Sequence, residues 1–186
     1  MIIAISGKPG SGKSTVAKEL AKKLGVKHYS AGDFMRKLAA EKGMDLIELS
    51  KIAEKDFSID DAIDSWLRRL AKQEKNFVID SRLAFHFIPD AVKIYLDVDL
   101  DIAAKRIFSG PVRETETKKI EKVEALKEEL KRRMESERKR YMKYYNVDID
   151  DKSNYDLIID TSNISAEEVI EKIIQFLETN KKKFKK

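Results

Sequence analysis

Residues 7–15 constrain the fold of this chain more than any other part of its sequence. They read GKPGSGKST and contain the pattern G-x-x-x-x-G-K-[ST]. The apolar run 1–6 before them predicts a buried strand, and the amphipathic stretch 14–24 after it predicts a helix. Glycines in such a turn let backbone N–H groups and the helix N-terminus point into one concavity that attracts anions. The sequence therefore predicts a P-loop, a turn that binds phosphate groups.

Two side chains of this turn have specific chemical roles. The Lys13 ammonium can reach the β- and γ-phosphates of a nucleoside triphosphate, and the Ser14 hydroxyl can ligate Mg²⁺. We therefore expect ATP and Mg²⁺ to bind here. The expected nucleotide contacts are the residues of the whole turn: Gly7, Lys8, Pro9, Gly10, Ser11, Gly12, Lys13, Ser14 and Thr15.

Short apolar runs alternate with helical patterns along the chain. Strands are predicted at residues 1–6, 26–30, 77–80, 92–98 and 155–160. Helices are predicted at residues 14–24, 32–41, 45–55, 60–71, 101–108, 118–145 and from the cap residue Ser165 to about 177. This alternation predicts an α/β fold in which helices flank a five-stranded parallel sheet. Three consecutive helices between the second and third strands form an excursion that a plain alternation does not need.

The composition excludes several kinds of site. The chain has no cysteine, which excludes disulfides and thiolate metal sites, and it has only two histidines, His28 and His86, which we expect to be structural. No apolar run approaches the ~20 residues that span a bilayer. The N-terminus also lacks the basic region of a secretory signal. We therefore expect a soluble, cytoplasmic protein.

The net charge of +5 comes from the end of the chain. Five of the last six residues are lysines, and without them 33 basic residues balance 33 acidic ones. We expect a neutral domain at residues 1–180 followed by a disordered basic tail at 181–186. A neutral body argues against nucleic-acid binding. A nucleotide-dependent nucleic-acid-binding protein nevertheless stays as an alternative class.

Further motifs narrow the class of P-loop protein. The N-K-x-D and D-x-x-G motifs of GTPases are missing from the sequence, and the chain is too short for a motor or transport ATPase. The sequence contains SAGD at 30–33 with Arg36, DSR at 80–82, and an arginine-rich stretch at 132–141. These motifs resemble those of nucleoside monophosphate kinases. Together with segments 148–151 and 155–162, they make the chain most similar to archaeal-type cytidylate kinases over nearly its whole length, up to the lysine tail.

The resemblance implies a reaction and a domain plan. The reaction is transfer of the γ-phosphate of ATP to CMP and dCMP, and an AMP or UMP kinase of the same family is the alternative. The plan is a P-loop kinase with a monophosphate-binding insert at about 31–74 and a lid at about 108–120. We expect a monomer whose partner is the small-molecule substrate, without membrane or nucleic-acid partners.

Phosphoryl transfer brings two polyanions together, so the site needs cations for each of them. Arg36 and Arg82 are placed to hold the phosphate of the monophosphate, each through two hydrogen bonds. Arg36 could instead form a surface pair with Asp33. The residues expected to act in catalysis are Lys13, Arg82, Arg133 and Arg138.

The long helix and the lid leave assignments open. Not all the arginines of one helix can face one site, and this applies to Arg132, Arg133, Arg138 and Arg140. In the lid, Arg106 is the first candidate. Related adenylate kinases carry a second lid arginine at the position of Gly110, and here Arg113 is its possible substitute.

Residues after the predicted strands supply the remaining candidates. Asp80 ends the third strand at the carboxyl edge of the sheet, where ligands of α/β proteins bind. The resemblance assigns it to the magnesium site with Ser14, and a loop-capping aspartate is the alternative. Thr161 and Ser162 follow the last strand, where they contact adenine or form a simple turn.

Acidic and hydroxyl groups of the insert suggest how cytosine is recognised. A carboxylate accepts a hydrogen bond from the exocyclic amino group of cytosine and repels the carbonyl oxygen of uracil. Asp60 and Asp64 lie one helical turn apart and share a face, with Ser30 and Asp33 at the entrance of the insert. The alternative for Asp60 and Asp64 is an acidic helix N-terminus. Trp66, beside an apolar helix face, is expected in the core.

Overall fold

A computed structural model of the chain describes residues 1–44, 46–110 and 122–184. Its strands are β1 (Ile2–Gly7), β2 (Lys27–Ser30), β3 (Phe77–Asp80), β4 (Val92–Asp97) and β5 (Leu157–Asp160). All neighbouring strands pair in parallel, in the order β2-β3-β1-β4-β5. The predicted five-stranded parallel sheet is confirmed.

Helices connect the strands as the sequence predicts. They are α1 (Lys13–Leu24), α2 (Ala31–Glu41), α3 (Leu46–Ala53), α4 (Phe57–Gln73), α5 (Ala84–Phe87), α6 (Leu100–Ser109), α7 (Val123–Tyr145) and α8 (Ala166–Thr179). The helices α2, α3 and α4 form the excursion between β2 and β3, and they share a small apolar cluster of their own around Leu49 and Ile59. None of the helices among the described residues has the length and apolar character needed to cross a bilayer.

Both faces of the sheet are covered. Because side chains alternate along a strand, Ile3 and Ile5 point to one face of β1, and Ala4 points to the other. Ile3 and Ile5 pack in a cluster with residues of α1 and α8. Ala4 packs in a second cluster with Leu67 of α4 and Tyr141 of α7. The sheet is thereby fixed between two helical layers, as parallel sheets require.

The strand order places one crevice at the carboxyl edge of the sheet. Strand β1 is the central strand, with β3 and β2 on one side of it and β4 and β5 on the other. The loop that follows β1 therefore lies where the two halves of the sheet meet. In register, Ile5 pairs with Asp80, Ser30 pairs with Asp80, and Gly7 pairs with Leu96. The P-loop, Asp80 and the entrance of the insert therefore meet at this topological switch point, where α/β proteins bind ligands.

Several features differ from the sequence-based expectations or lie beyond them. The short helix α5 and a 3₁₀ turn at Lys152–Asn154 are additional. Trp66 is only half-buried and stacks on Phe34, with ring centroids 4.8 Å apart. Residues 111–121 lie outside the described part of the chain, and they include Arg113 and most of the predicted lid.

Two residues in the middle of the lysine tail contact the domain. Lys183 Nζ lies 2.9 Å from Asp156 Oδ1, and Phe184 packs against Phe176 with ring centroids 5.9 Å apart. These contacts differ from the freely solvated tail that composition suggests, because Phe184 adds apolar surface to the cluster beside α8.

Candidate active site

The turn between β1 and α1 has the backbone geometry of a P-loop. Gly7 and Gly10 have φ angles of 141° and 76°. A Cβ atom on Gly7 would lie 2.1 Å from the Leu96 carbonyl oxygen, and one on Gly10 would lie 2.8 Å from Ala103. Gly12 begins α1 without a side chain to bond the first N–H groups of the helix. Those groups stay available to an anion.

The Lys13 ammonium folds back onto this turn. Its Nζ donates a hydrogen bond to the Lys8 carbonyl oxygen at 2.7 Å. Burial and the charge of Arg82 lower the pKa of Lys13 to about 7, although Asp80 and Glu137 act in the opposite direction. The ammonium is therefore poised to exchange a carbonyl oxygen for a phosphate oxygen, and an anion beside it would restore its full charge.

Lys8, another expected nucleotide contact, uses its side chain elsewhere. Its Nζ lies 2.7 Å from Asp97 Oδ1, and its backbone N–H donates to the Leu96 carbonyl oxygen at 3.2 Å. The Lys8 side chain therefore fastens the P-loop to the end of β4, and its charge is neutralised there instead of in the concavity.

Asp80 joins three elements at the centre of the site. Its Oδ2 accepts hydrogen bonds from the hydroxyls of Ser14 and Ser30, each at 3.0 Å. Its Oδ1 lies 2.7 Å from His28 Nε2. Burial opposes the charge of Asp80, but the hydrogen bonds from His28, Ser14 and Ser30 outweigh burial and hold the pKa of this carboxyl below its usual value. Asp80 is thus ionised and fixed in orientation.

The contact between His28 and Asp80 was not anticipated, since His28 was expected to be merely structural. A signal for it existed in the sequence. His28 and Ser30 are two residues apart on β2, so their side chains share one face of the sheet. Ser30 pairs in register with Asp80, which places both side chains beside the same carboxylate.

Ser14 and Asp80 fit a magnesium ion that arrives with nucleotide phosphates. The Ser14 hydroxyl directs its proton to Asp80, so its lone pairs stay available to a cation. Mg²⁺ commonly binds one or two protein groups together with phosphates and water. The described residues contain no group of three or more His, Cys, Asp or Glu that could hold a metal. A metal at Ser14 and Asp80 would therefore depend on the nucleotide for its other ligands.

A buried cluster of charges lies next to the P-loop. Arg82, in the loop after β3, places its Nη2 3.0 Å from Glu137 Oε2, and Arg133 Nε lies 3.0 Å from Glu137 Oε1. One helical turn later, Arg140 Nε lies 2.9 Å from Asp60 Oδ2 in the insert. Burial alone would raise the pKa of Glu137, but Arg82, Arg133 and Arg140 outweigh it and lower that pKa to about 2. The cluster contains Arg82 and Arg133, two of the residues expected to act in catalysis, and it also contains Glu137 and Arg140.

Asp60 and Asp64 are buried on one face of α4, as their spacing predicts. Asp64 accepts a hydrogen bond from the Tyr145 hydroxyl. Burial is the main cause that raises the pKa of each carboxyl to about 6; Arg140 opposes the shift at Asp60, and Tyr145 opposes it at Asp64. Among the described residues, Asp60 contacts the Arg140 guanidinium and Asp64 accepts from the Tyr145 hydroxyl, so the insert contains two buried carboxyls with the chemistry to read a base edge.

Other candidate residues lie apart from this cluster. Arg138 Nη2 lies 2.6 Å from Asp148 Oδ2, and its side chain is more than half exposed. Arg132 pairs with Glu129 on the helix surface. Arg36 pairs with Asp33, the alternative that the sequence left open, although the Arg36 side chain is only 26% exposed. The structure therefore does not bring Arg138 to the cluster that contains Arg82 and Arg133.

A pocket on the other side of the P-loop suits an adenine ring. It has a volume of about 250 Å³ and is lined by Gly12, Thr15, Arg106 and Thr161, among others. Arg106 Nη2 donates to the Thr161 carbonyl oxygen at 2.7 Å, which holds the guanidinium plane at the pocket. The Ser11 hydroxyl is buried and has no hydrogen-bond partner in the described parts of the chain. A bound nucleotide could satisfy it.

Comparisons with known proteins agree with this geometry. Residues 2–163 match the family described as cytidylate kinase-like. The chain is 42% identical to a cytidylate kinase of Archaeoglobus fulgidus, with 97% of each chain covered. It is 43% identical to the cytidylate kinase of Methanocella arvoryzae, with 98% of this chain and 99% of the relative covered.

Solved structures show the same fold at lower identity. The shikimate kinase of Aquifex aeolicus matches with a TM-score of 0.62 at 21% identity, over 97% of this chain and 98% of that one. The shikimate kinase of Bacteroides thetaiotaomicron matches with a TM-score of 0.66 at 17% identity, over 96% and 98% of the two chains. These likenesses confirm the P-loop kinase fold.

Proposed function

Because the chain belongs to the cytidylate kinase-like family, we propose that it transfers the γ-phosphate of ATP to CMP, and also to dCMP, forming ADP and the pyrimidine diphosphate. One observation carries the proposal. A P-loop needs only its own lysine and N–H groups to hold a triphosphate, yet Arg82 and Arg133 stand close enough to act on Lys13, and both contact the buried carboxylate of Glu137. A second group of cations indicates a second phosphate-bearing substrate.

The donor half of the proposed site lies around α1. The triphosphate binds the N–H groups of the P-loop, and Lys13 exchanges its bond to the Lys8 carbonyl for one to the β- and γ-phosphates. Adenine occupies the pocket between the P-loop and Thr161, with the Arg106 guanidinium held against it. The chemistry that Mg²⁺ supplies, when bound at Ser14 and oriented by Asp80, is neutralisation of charge on the β- and γ-phosphates.

The acceptor half lies between the insert and α7. Arg82 and Arg36 hold the phosphate of CMP, and the buried carboxyls of Asp60 and Asp64 face the cytosine edge. Ser30 and Asp33 stand at the entrance of the insert, and Ser30 is bonded to Asp80. The acceptor entrance is thereby linked to the donor half through one carboxylate.

The transfer requires no protein nucleophile. An oxygen of the CMP phosphate attacks the γ-phosphorus in line, the bond from that phosphorus to the β,γ-bridging oxygen breaks, and ADP leaves. Lys13, Arg82 and Arg133 neutralise the charge that spreads over the moving group. We place the reaction in the cytoplasm, with the monomer as the working unit.

A coupled assay of ADP release across CMP, dCMP, UMP and AMP tests the proposal. We expect CMP and dCMP to be the best acceptors, UMP clearly worse and AMP poor, because a purine is too large for the site. The reaction without acceptor measures background ATP hydrolysis. Equal efficiency with AMP and CMP would contradict the cytidylate assignment and leave only the class of monophosphate kinases.

A further inference from the structure

One buried carboxylate lies among the cations that face the P-loop. Glu137 on α7 exposes only 8% of its surface. Its two oxygens contact Arg82 from the loop after β3 and Arg133 from its own helix, each at 3.0 Å. Its negative charge also acts on Lys13 and Arg140. Four cations from three parts of the chain thus surround a single anion that no motif predicted.

The guanidinium groups of Arg82 and Arg133 that contact Glu137 are groups that can also bind a phosphate. Guanidinium groups bind carboxylates and phosphates in the same forked manner, through N–H groups on oxygen atoms. Glu137 presents one oxygen to each of two guanidinium groups, and these arginines come from different elements. A buried ion pair is weak evidence of a contribution to stability, because the cost of desolvating the charges can exceed their attraction.

We propose that Glu137 is an internal substitute for the substrate phosphate, which holds Arg82 and Arg133 together in the ligand-free protein and gives them up when the monophosphate binds. The inference rests on the proposed function, in which Arg82 holds the CMP phosphate, and it adds Arg133 as a further ligand of that phosphate. Arg140, the next cation on the inner face of α7, stays beside the Glu137 carboxylate after the exchange.

The exchange lowers the affinity for phosphate, and this lower affinity favours turnover. A carboxylate and a phosphate cannot share two guanidinium groups without repulsion, so Glu137 weakens the binding of every phosphate at this position. Affinity that is equal for substrate and transition state lowers KM without raising kcat. Glu137 therefore keeps the arginines assembled while it prevents tight, unproductive binding of substrate and product.

Calorimetric titration of the full chain with inorganic phosphate, CMP and cytidine tests the proposal through Glu137→Gln. We expect phosphate and CMP to bind more tightly to this variant, on the order of tenfold or about 1.4 kcal/mol. Cytidine, which lacks the phosphate, should bind as it does to the wild type. The matched control is Glu128→Gln, which breaks an ion pair with Lys131 on the exposed face of the same helix and should change none of the three affinities.

Unchanged or weaker binding of phosphate and CMP to Glu137→Gln would overturn the proposal. The proposed function is judged separately, because wild-type turnover of CMP does not depend on this comparison and the titration with inorganic phosphate does not require CMP to be the acceptor.

Glu137→Gln leaves buried cations without their anion and could destabilise the fold, so unfolding midpoints are measured with and without phosphate. We expect phosphate to stabilise this variant more than the wild type, whereas a structural residue would give equal shifts and contradict the proposal. Glu137→Asp keeps the charge but shortens the side chain, so it should reach one guanidinium and show intermediate phosphate affinity. Affinity equal to that of the wild type in Glu137→Asp would also count against the exchange.

Discussion

At the scale of the residue, Lys13 Nζ donates a hydrogen bond to its own loop, at the carbonyl oxygen of Lys8. This arrangement keeps the ammonium close to its working position and leaves the loop closed around it. We expect Lys13→Ala to lower kcat by about two orders of magnitude or more, because it removes a charge directed at the transferring phosphoryl group. Steady-state kinetics measures the loss, and circular dichroism checks the fold. Lys18→Ala, on the exposed side of the same helix, is the control, and near-normal activity of Lys13→Ala would mean that the P-loop is misassigned.

The depressed pKa of Lys13 predicts a pH effect of known sign. With the pKa near 7 in the free protein, raising the pH through 7 removes the charge that attracts ATP. We expect kcat/KM for ATP to fall as the pH rises through this range, while kcat falls less, because bound phosphates restore the charge. Lys13→Arg, which cannot lose its proton in this range, should abolish the fall. A fall in Lys13→Arg as steep as that of the wild type would assign the effect to another group.

Asp60 and Asp64 predict that acceptor choice depends on pH. Both carboxyls have pKa values near 6, so they are charged acceptors above this pH and neutral hydrogen-bond donors below it. The preference for CMP over UMP should therefore fall as the pH is lowered through 6. Competition between the two acceptors in one assay measures it.

Asparagine variants at the two positions complete this test. The variants are assayed at about pH 7.5, well above the pKa of both carboxyls, where the wild-type groups are charged. Either Asp60→Asn or Asp64→Asn should reduce the preference for CMP and leave the KM for ATP unchanged. A preference for CMP that is independent of pH and of both substitutions would show that other groups read the base.

At the scale of the element, the periodicity of helix α7 places its arginines on different faces. Its buried apolar positions, Leu126 and Leu130, are four residues apart, and continuing at steps of three and four leads through Arg133 and Glu137 to Arg140 and Tyr141. Arg132 and Arg138 fall on other faces and pair at the surface. Helical periodicity could therefore have identified Glu137 and Arg140, whereas the search for positive charge selected Arg138.

The lysine tail is attached to the edge of the sheet opposite the site. Its Lys183 pairs with Asp156, which precedes β5, whereas the P-loop and Asp80 lie where strands end. We expect deletion of residues 181–186 to leave kcat and KM within about twofold, because the truncation removes no group near the phosphates. The melting temperature should fall slightly as Phe184 leaves its cluster. A severe loss of activity would make the tail part of the catalytic machinery.

At the scale of the whole molecule, α2, α3 and the start of α4 share an apolar cluster of their own, whereas the rest of α4 packs in the cluster of the body. Polar contacts also join the insert to α7: Ser136 donates to Glu54, between α3 and α4, at 2.7 Å, and Arg140 contacts Asp60. Ligand binding between the two parts should alter their arrangement. The only tryptophan of the chain, Trp66, stacks on Phe34 within the insert and can report this change.

We expect CMP to change the fluorescence of Trp66 in a saturable titration, because Phe34 follows directly on Asp33 at the acceptor entrance. Cytidine should produce a weaker change, since it lacks the phosphate that engages the arginines. Absence of any change at CMP concentrations that calorimetry shows to be saturating would indicate that the insert does not respond to its ligand.

Most of the architecture followed from local patterns, because buried parallel strands and amphipathic helices carry strong periodicity. The turn at α5 did not, since four residues give no periodic pattern. The contact between His28 and Asp80 required knowledge of strand register, and the pair of Arg82 with Glu137 joins residues 55 positions apart in the chain. Such contacts depend on how elements pack, which one sequence does not state.

The connection between β2 and β3 also bears on how acceptor specificity can change during evolution. The parts assigned to the acceptor base form one continuous stretch, α2 to α4, inserted in a single crossover, whereas the P-loop and the adenine pocket are encoded outside it. Mutation, duplication or exchange of that stretch can therefore change which small molecule receives the phosphate, while the inherited ATP-handling half stays intact. Lineages of kinases with unlike acceptors can arise from such a plan without any redesign of the sheet.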